Sequence, residues 1–206
     1  MKKIVCYGDS NTFGFNAKDG SIFDDNTRWT SLLQNNLGAE YEVVNEGMYD
    51  RTGFVDNPRG DLFSGPKHFP ELLAKTDNID LLILAIGTND LQSQYNISFE
   101  IIENGLKNLI SLAKTKTKNI TIIPPVILDE RILKGAFNTQ FDETGVEKSK
   151  KVGQIYRQIA DENDCENFDI NEFATPSDYD GLHYDENSHR LIAEKLAEVI
   201  KKESLR

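Results

Sequence analysis

Lys3-Ile4-Val5-Cys6-Tyr7-Gly8-Asp9-Ser10-Asn11-Thr12 governs how the rest of the chain is read. An apolar run of strand length, rich in β-branched and aromatic residues, closes on a glycine and then on four small polar residues. The pattern predicts a buried strand over 3–8 whose carboxyl end turns sharply away, presenting the Ser10 hydroxyl. The stretch is too short for a secretory leader and runs directly into Gly8-Asp9-Ser10, so it is read as the first strand of a cytoplasmic protein.

Beyond this strand, apolar runs of the same length recur at 41–46, 81–87 and 121–125, with a short weak one at 166–170. Between them lie amphipathic helical patterns at 28–37, 68–76, 98–116, 143–163 and 187–202; the last carries Leu191, Ile192, Leu196 and Val199 on one face. Strands alternating with helices predict an α/β fold, a three-layer α/β/α domain around a parallel sheet of about five strands. No Pro/Gly/Ser-rich linker divides the 206 residues, so one domain is expected over 1–206. Two long polar segments, 11–27 and 49–67, leave the carboxyl edge of the sheet, where open α/β sheets bind ligands; with 127–142 they are expected to form pocket walls or, equally, a subunit interface.

Composition removes several functions. No apolar run approaches a membrane span, and a net charge of −11 repels phosphate backbones and anionic headgroups, so neither nucleic acid nor membrane is expected as a partner. Cys6 and Cys165 have neither metal spacing nor a disulfide framework, which fits a reduced compartment.

Three further groups join Ser10. In Asp180-Gly181-Leu182-His183, an Asp and a His three apart face each other across one turn, so the carboxylate can hold Nδ1–H and leave Nε2 to take a proton. In Gly87-Thr88-Asn89-Asp90, after the third strand, the Asn89 side chain can aim an N–H at a developing oxyanion. Gly47, after the second strand, allows a backbone N–H to approach the same point. Asp9 and Asp90 are assigned to shaping their turns through backbone hydrogen bonds. All of these fall at carboxyl ends of strands or in the adjoining loops.

Taken in order, Gly8-Asp9-Ser10, Asn45-Glu46-Gly47, Gly87-Thr88-Asn89-Asp90 and Asp180-Gly181-Leu182-His183 resemble the four blocks of the SGNH hydrolases, the GDSL-like esterases and lipases. The resemblance covers nearly the whole chain. It implies a flavodoxin-like sheet, Ser10 as nucleophile with His183 and Asp180, and an oxyanion hole from Ser10 N–H, Gly47 N–H and Asn89. It implies neither metal nor organic cofactor. Arg28-Trp29-Thr30, Glu46-Gly47 with Arg51-Thr52, and Pro124-Pro125 resemble the arylesterase and acyltransferase branch, which acts on short acyl esters and often forms oligomers. A small-molecule ester, water or a second alcohol, and a homo-oligomeric partner are therefore the expected company. Phe13 and Phe15 match the branch's aromatic residues after the nucleophile, although loop packing explains them equally well; Asn11 replaces the leucine of Gly-Asp-Ser-Leu.

The sequence leaves open carbohydrate O-acetylesterase, thioesterase, lysophospholipase and acyltransferase activity, because these differ in pocket walls and share the same catalytic groups. Two other classes compete. One is a metal-dependent hydrolase with Asp180, His183, Asp185 and His189 as ligands; the other is a binding module that has lost turnover, which would be expected to lack Ser10 or His183.

Overall fold

The computed structural model describes residues 1–204. Five strands, β1 (Lys2–Gly8), β2 (Tyr41–Gly47), β3 (Leu81–Ala85), β4 (Ile120–Ile123) and β5 (Glu166–Asn167), form one parallel sheet in the order β2-β1-β3-β4-β5. Six α-helices accompany it among the described residues: α1 (Ser10–Phe13), α2 (Trp29–Leu37), α3 (Gly65–Lys75), α4 (Phe99–Ala113), α5 (Glu143–Glu162) and α6 (Glu186–Ser204). This is the expected α/β architecture.

The order explains where a site forms. After β1 the chain crosses to β2 on one side, then returns to β3 on the other, so β1 and β3 flank a topological switch point. The register sets Gly8 level with Gly47 on one side and with Ala85 on the other. Ser10, just past the end of β1, and Asn89, just past the end of β3, therefore emerge at one height above one crevice.

Burial tracks strand position. Val5, Cys6 and Tyr7 in β1 and Leu82, Ile83 and Leu84 in β3 are wholly buried, because central strands have helices on both faces. β4 ends at Ile123, before Pro124-Pro125, since proline has no N–H for the ladder. β5 covers only Glu166–Asn167, shorter than 166–170: Ile170–Glu172 turns into a 3₁₀ helix whose first turn is closed by Asp169. Cys6 and Cys165 are both free thiols. No helix among the described residues is long and apolar enough to cross a membrane.

The short helix α1 falls inside the segment read as loop. Asp9 caps it by accepting the Asn11 N–H at 3.0 Å, and Gly14 ends it in the left-handed region. Four residues are too few to leave a periodic signal.

Candidate active site

β1 delivers Ser10 as the first residue of α1, where backbone N–H groups have no partner within the helix. The loop before α6 brings His183 to it: His183 Nε2 lies 2.8 Å from Ser10 Oγ, and Nδ1 lies 2.6 Å from Asp180 Oδ2. All three residues are buried. The other Asp180 oxygen accepts the N–H groups of Leu182 and His183, both at 2.9 Å, so the carboxylate is fixed before it meets the imidazole. Burial raises the Asp180 pKa, but the His183 hydrogen bond and charge and the two N–H groups outweigh it and hold the carboxyl below its ordinary value. An anionic Asp180 accepts from Nδ1–H, which leaves Nε2 as an acceptor for the Ser10 hydroxyl.

Asn11 ties the two ends of this arrangement together. Its Nδ2 donates to Leu182 O at 3.3 Å and its Oδ1 accepts the Tyr184 N–H at 3.0 Å, gripping the backbone on both sides of His183. In the sequence Asn11 stands out only as a departure from leucine; a polar side chain in that place, beside a nucleophile, is the one available signal. Gly181, at φ +71, lets the same loop pass close to segment 127–142: an added Cβ would lie 3.0 Å from Asp129 O. The Asp129 N–H in turn donates to Gly181 O at 3.0 Å.

Asn89, at the start of a 3₁₀ turn after β3, is buried, with Nδ2 donating to Arg51 O at 3.0 Å and Oδ1 accepting from Gln92 Nε2 at 3.1 Å. Its second amide N–H meets no acceptor among the described residues. Gly47 closes β2 beside α1. Its N–H donates to Asn45 Oδ1 at 2.8 Å, so it is already engaged. It is glycine for another reason: a Cβ there would lie 2.2 Å from Phe13 N, because α1 packs directly on the end of β2. Asp50, a few residues on, is a non-glycine residue in the left-handed region, at φ 58, a conformation Asp tolerates better than most residues.

Two buried carboxylates take the backbone roles expected of them. Asp9 caps α1 and bonds Thr88; burial raises its pKa against those hydrogen bonds. Asp90 accepts the N–H groups of Gly53 (2.6 Å), Phe54 (2.8 Å) and Val55 (3.2 Å), which anchors segment 49–67; burial raises it to about 7 despite these donors. Arg51 is fully buried, donating to Gly8 O at 3.1 Å, to Glu46 O and to Leu62 O at 3.2 Å. It also sits 4.5 Å over the Tyr7 ring and joins the ends of β1 and β2.

Ser10 and His183 open onto a cleft of about 630 Å³. All three long segments wall it: Phe13, Phe15 and Ile22 from the first, Tyr49, Asp50 and Arg59 from the second, Phe137 and Gln140 from the third. Phe15 and Phe137 bracket the imidazole, with ring centroids 4.5 and 5.5 Å from that of His183, so Phe15 belongs to the site as well as to its loop. Gln92, Gln94 and Gln140 add polar groups to the lining.

The four residues of the metal reading do not converge as ligands. His189 Nδ1 accepts the Trp29 N–H at 3.2 Å, Asp185 accepts the Ser188 N–H at 2.8 Å, and Asp180 and His183 hold each other. Among the described residues no group of three or more His, Cys, Asp or Glu is arranged to hold a metal ion.

A family model described as GDSL-like lipase/acylhydrolase matches residues 6–191. Among solved structures, the native aryl esterase of M. smegmatis superposes with a TM-score of 0.89 at 27% identity, covering 98% of this chain and 99% of that one. Est24, a carbohydrate acetylesterase from Sinorhizobium meliloti, superposes at 0.88 with 26% identity over 98% and 99% of the two chains. A carbohydrate acetylesterase family member from the same organism gives 0.88 at 30% identity, covering 98% of each. Among curated proteins none matches the sequence significantly. With the model spanning most of its length and the fold shared end to end, the chain belongs to the GDSL-like lipase/acylhydrolase family, the SGNH hydrolases, and with it to the carboxylic ester hydrolases.

Proposed function

We propose that this enzyme hydrolyses short-chain acyl esters of the acetyl type through an acyl-enzyme on Ser10. The observation that carries the reading is the file of close contacts from Ser10 Oγ to His183 Nε2 and from His183 Nδ1 to Asp180 Oδ2, at the floor of an open cleft. His183 takes the Ser10 proton as Oγ attacks the ester carbonyl carbon, and the resulting imidazolium is stabilised by Asp180. Collapse of the tetrahedral species breaks the bond to the alcohol, which leaves with the proton from His183. Water, or a second alcohol in acyl transfer, then attacks the acyl carbon as His183 takes its proton; collapse breaks the bond to Ser10 Oγ, which recovers that proton from His183 as the acid or new ester leaves.

The oxyanion is held by the Ser10 N–H and the cleft-facing Asn89 amide. For the third donor we assign the Asp50 N–H in place of Gly47. Asp50 lines the cleft with Ser10 and Asn89, and its N–H donates to no acceptor among the described residues. Phe13, Phe15 and Phe137 line the cleft with Ser10 and His183, and on this reading their bulk favours small acyl groups. Gln94 and Gln140 on the cleft wall support a second reading, an acetylated carbohydrate as the ester, in line with the acetylesterases of the same fold.

Hydrolysis of p-nitrophenyl acetate, butyrate and octanoate by wild type and Ser10→Ala, with and without EDTA, tests this. Turnover should fall with chain length, ignore EDTA, and drop on the order of 10⁴-fold or more in Ser10→Ala. A Ser10→Ala enzyme with near wild-type turnover would sink the mechanism; Ser10-dependent activity confined to sugar acetates would favour the second reading.

A further inference from the structure

A primary amide is nearly symmetric in shape, so packing alone does not determine whether Asn89 shows its N–H or its oxygen to the cleft. Hydrogen-bond polarity does. Asn89 sits between two fixed partners: Arg51 O, a backbone acceptor 3.0 Å from Nδ2, and Gln92 Nε2, a donor 3.1 Å from Oδ1. Gln92 is itself a reversible amide, almost wholly buried. Its Nε2 also donates to Asp50 Oδ1 at 3.0 Å, and its Oε1 accepts from Gln94 Nε2 at 2.7 Å. The other Asp50 oxygen is held by Arg59 Nη1 at 3.2 Å. An ionised carboxylate only accepts, so the Asp50 end of this chain has one polarity available. It obliges Gln92 to point its NH₂ inward, which obliges Asn89 to offer Oδ1 to Gln92 and its N–H groups to Arg51 and the cleft.

We infer that Gln92, set by the Asp50 carboxylate, is a positioning residue for the reaction: it holds the Asn89 amide in the one orientation that stabilises the oxyanion. The inference rests on the reading of Asn89 as an oxyanion donor. Gln92 touches neither substrate nor reacting atoms in this role; it acts through Asn89. Its loss leaves Asn89 tied only by its Nδ2 contact to Arg51 O, so the amide is held less firmly and its N–H is aimed at the developing charge for less of the time.

A double-mutant cycle on p-nitrophenyl acetate separates the possibilities, using wild type, Asn89→Ala, Gln92→Leu and the double variant, with Gln92→Glu alongside. Gln92→Leu should lower kcat about 10-fold to 100-fold with KM within about 2-fold, the split expected when only transition-state stabilisation is lost. Gln92→Glu should lose more, because a carboxylate repels Asp50 and draws the Asn89 NH₂ away from the cleft. In the Asn89→Ala background Gln92→Leu should cost less than about 2-fold, since the group it positions is absent. An equal loss in both backgrounds, or none in wild type, overturns the proposal. Asn89→Ala with wild-type kcat would instead overturn the oxyanion reading beneath it. Thermal midpoints confirm folding, and Gln92→Met, which keeps the side-chain length, replaces Gln92→Leu if that variant does not fold.

Discussion

His189→Asn tests how the active-site loop is pinned to the fold. His189 is wholly buried in the first turns of α6, six residues after His183, against the edge of the Phe23 ring at 5.0 Å. Its Nδ1 accepts the N–H of Trp29, the first residue of α2, whose own cap residue Arg28 provides no side-chain acceptor. Burial depresses the imidazole from 6.5 to about 3, so the folded protein keeps it neutral while the unfolded chain protonates it in mild acid. The unfolded state then binds the extra proton, and stability present above pH 6.5 is lost as pH falls toward 3. At about pH 5, roughly 1.5 units below the unfolded value at about 1.4 kcal/mol per unit, the loss is about 2 kcal/mol. Any folded value below about 4 gives the same figure. Asp90, raised to about 7, works in the opposite direction, gaining stability as pH falls through that value, and masks part of the loss in wild type alone. Comparison with His189→Asn isolates the term, because Asn retains an oxygen acceptor for Trp29 and does not titrate. Urea unfolding of both proteins at about pH 7.5 and about pH 5 should show wild type losing about 2 kcal/mol more than the variant. A difference below about 0.5 kcal/mol would refute the claim that the fold holds His189 neutral.

Two other substitutions probe the frame around Ser10. Gly47→Ala forces a Cβ to within 2.2 Å of the Phe13 backbone and should cost about 2 kcal/mol or more, read as a lower thermal midpoint, with kcat falling because α1 carries Ser10. Asn11→Leu restores Gly-Asp-Ser-Leu but leaves Leu182 O and Tyr184 N–H buried without their partner; a loss of about 1–3 kcal/mol in urea unfolding, with reduced kcat, is expected. Unchanged stability would show that the clamp on His183 is dispensable.

The strands and helices were legible where burial is two-sided or periodic. β1 and β3 are apolar throughout because they are central, and α4 and α6 show one apolar face because only one faces the sheet. β5 was overextended because an edge strand pairing only with Thr121 and Ile122 needs little apolar sequence. The placing of Ser10 and Asn89 just past strand ends and the contact of Asp180 with His183 were readable because each depends on local order: a polar turn after a strand, or two side chains three residues apart. The packing reason for Gly47 was not legible because glycine marks either conformational freedom or close approach, and only the folded chain shows the approach of Thr12 and Phe13 that demands it.

The layers, the chemistry of the reacting groups and the strand ends that carry them are written in local stretches of the chain, and no knowledge of the fold was needed to find them. Which residues meet across great separations came only with the folded chain: His183 with Ser10, Asn11 with the backbone around His183, Asp50 with Gln92. So did which N–H groups are already engaged, that of Gly47 by Asn45 among them. Local propensity acts over a few residues, whereas the partner of a buried donor is selected by the register of the sheet and the path of three long loops, which single-residue preferences do not encode.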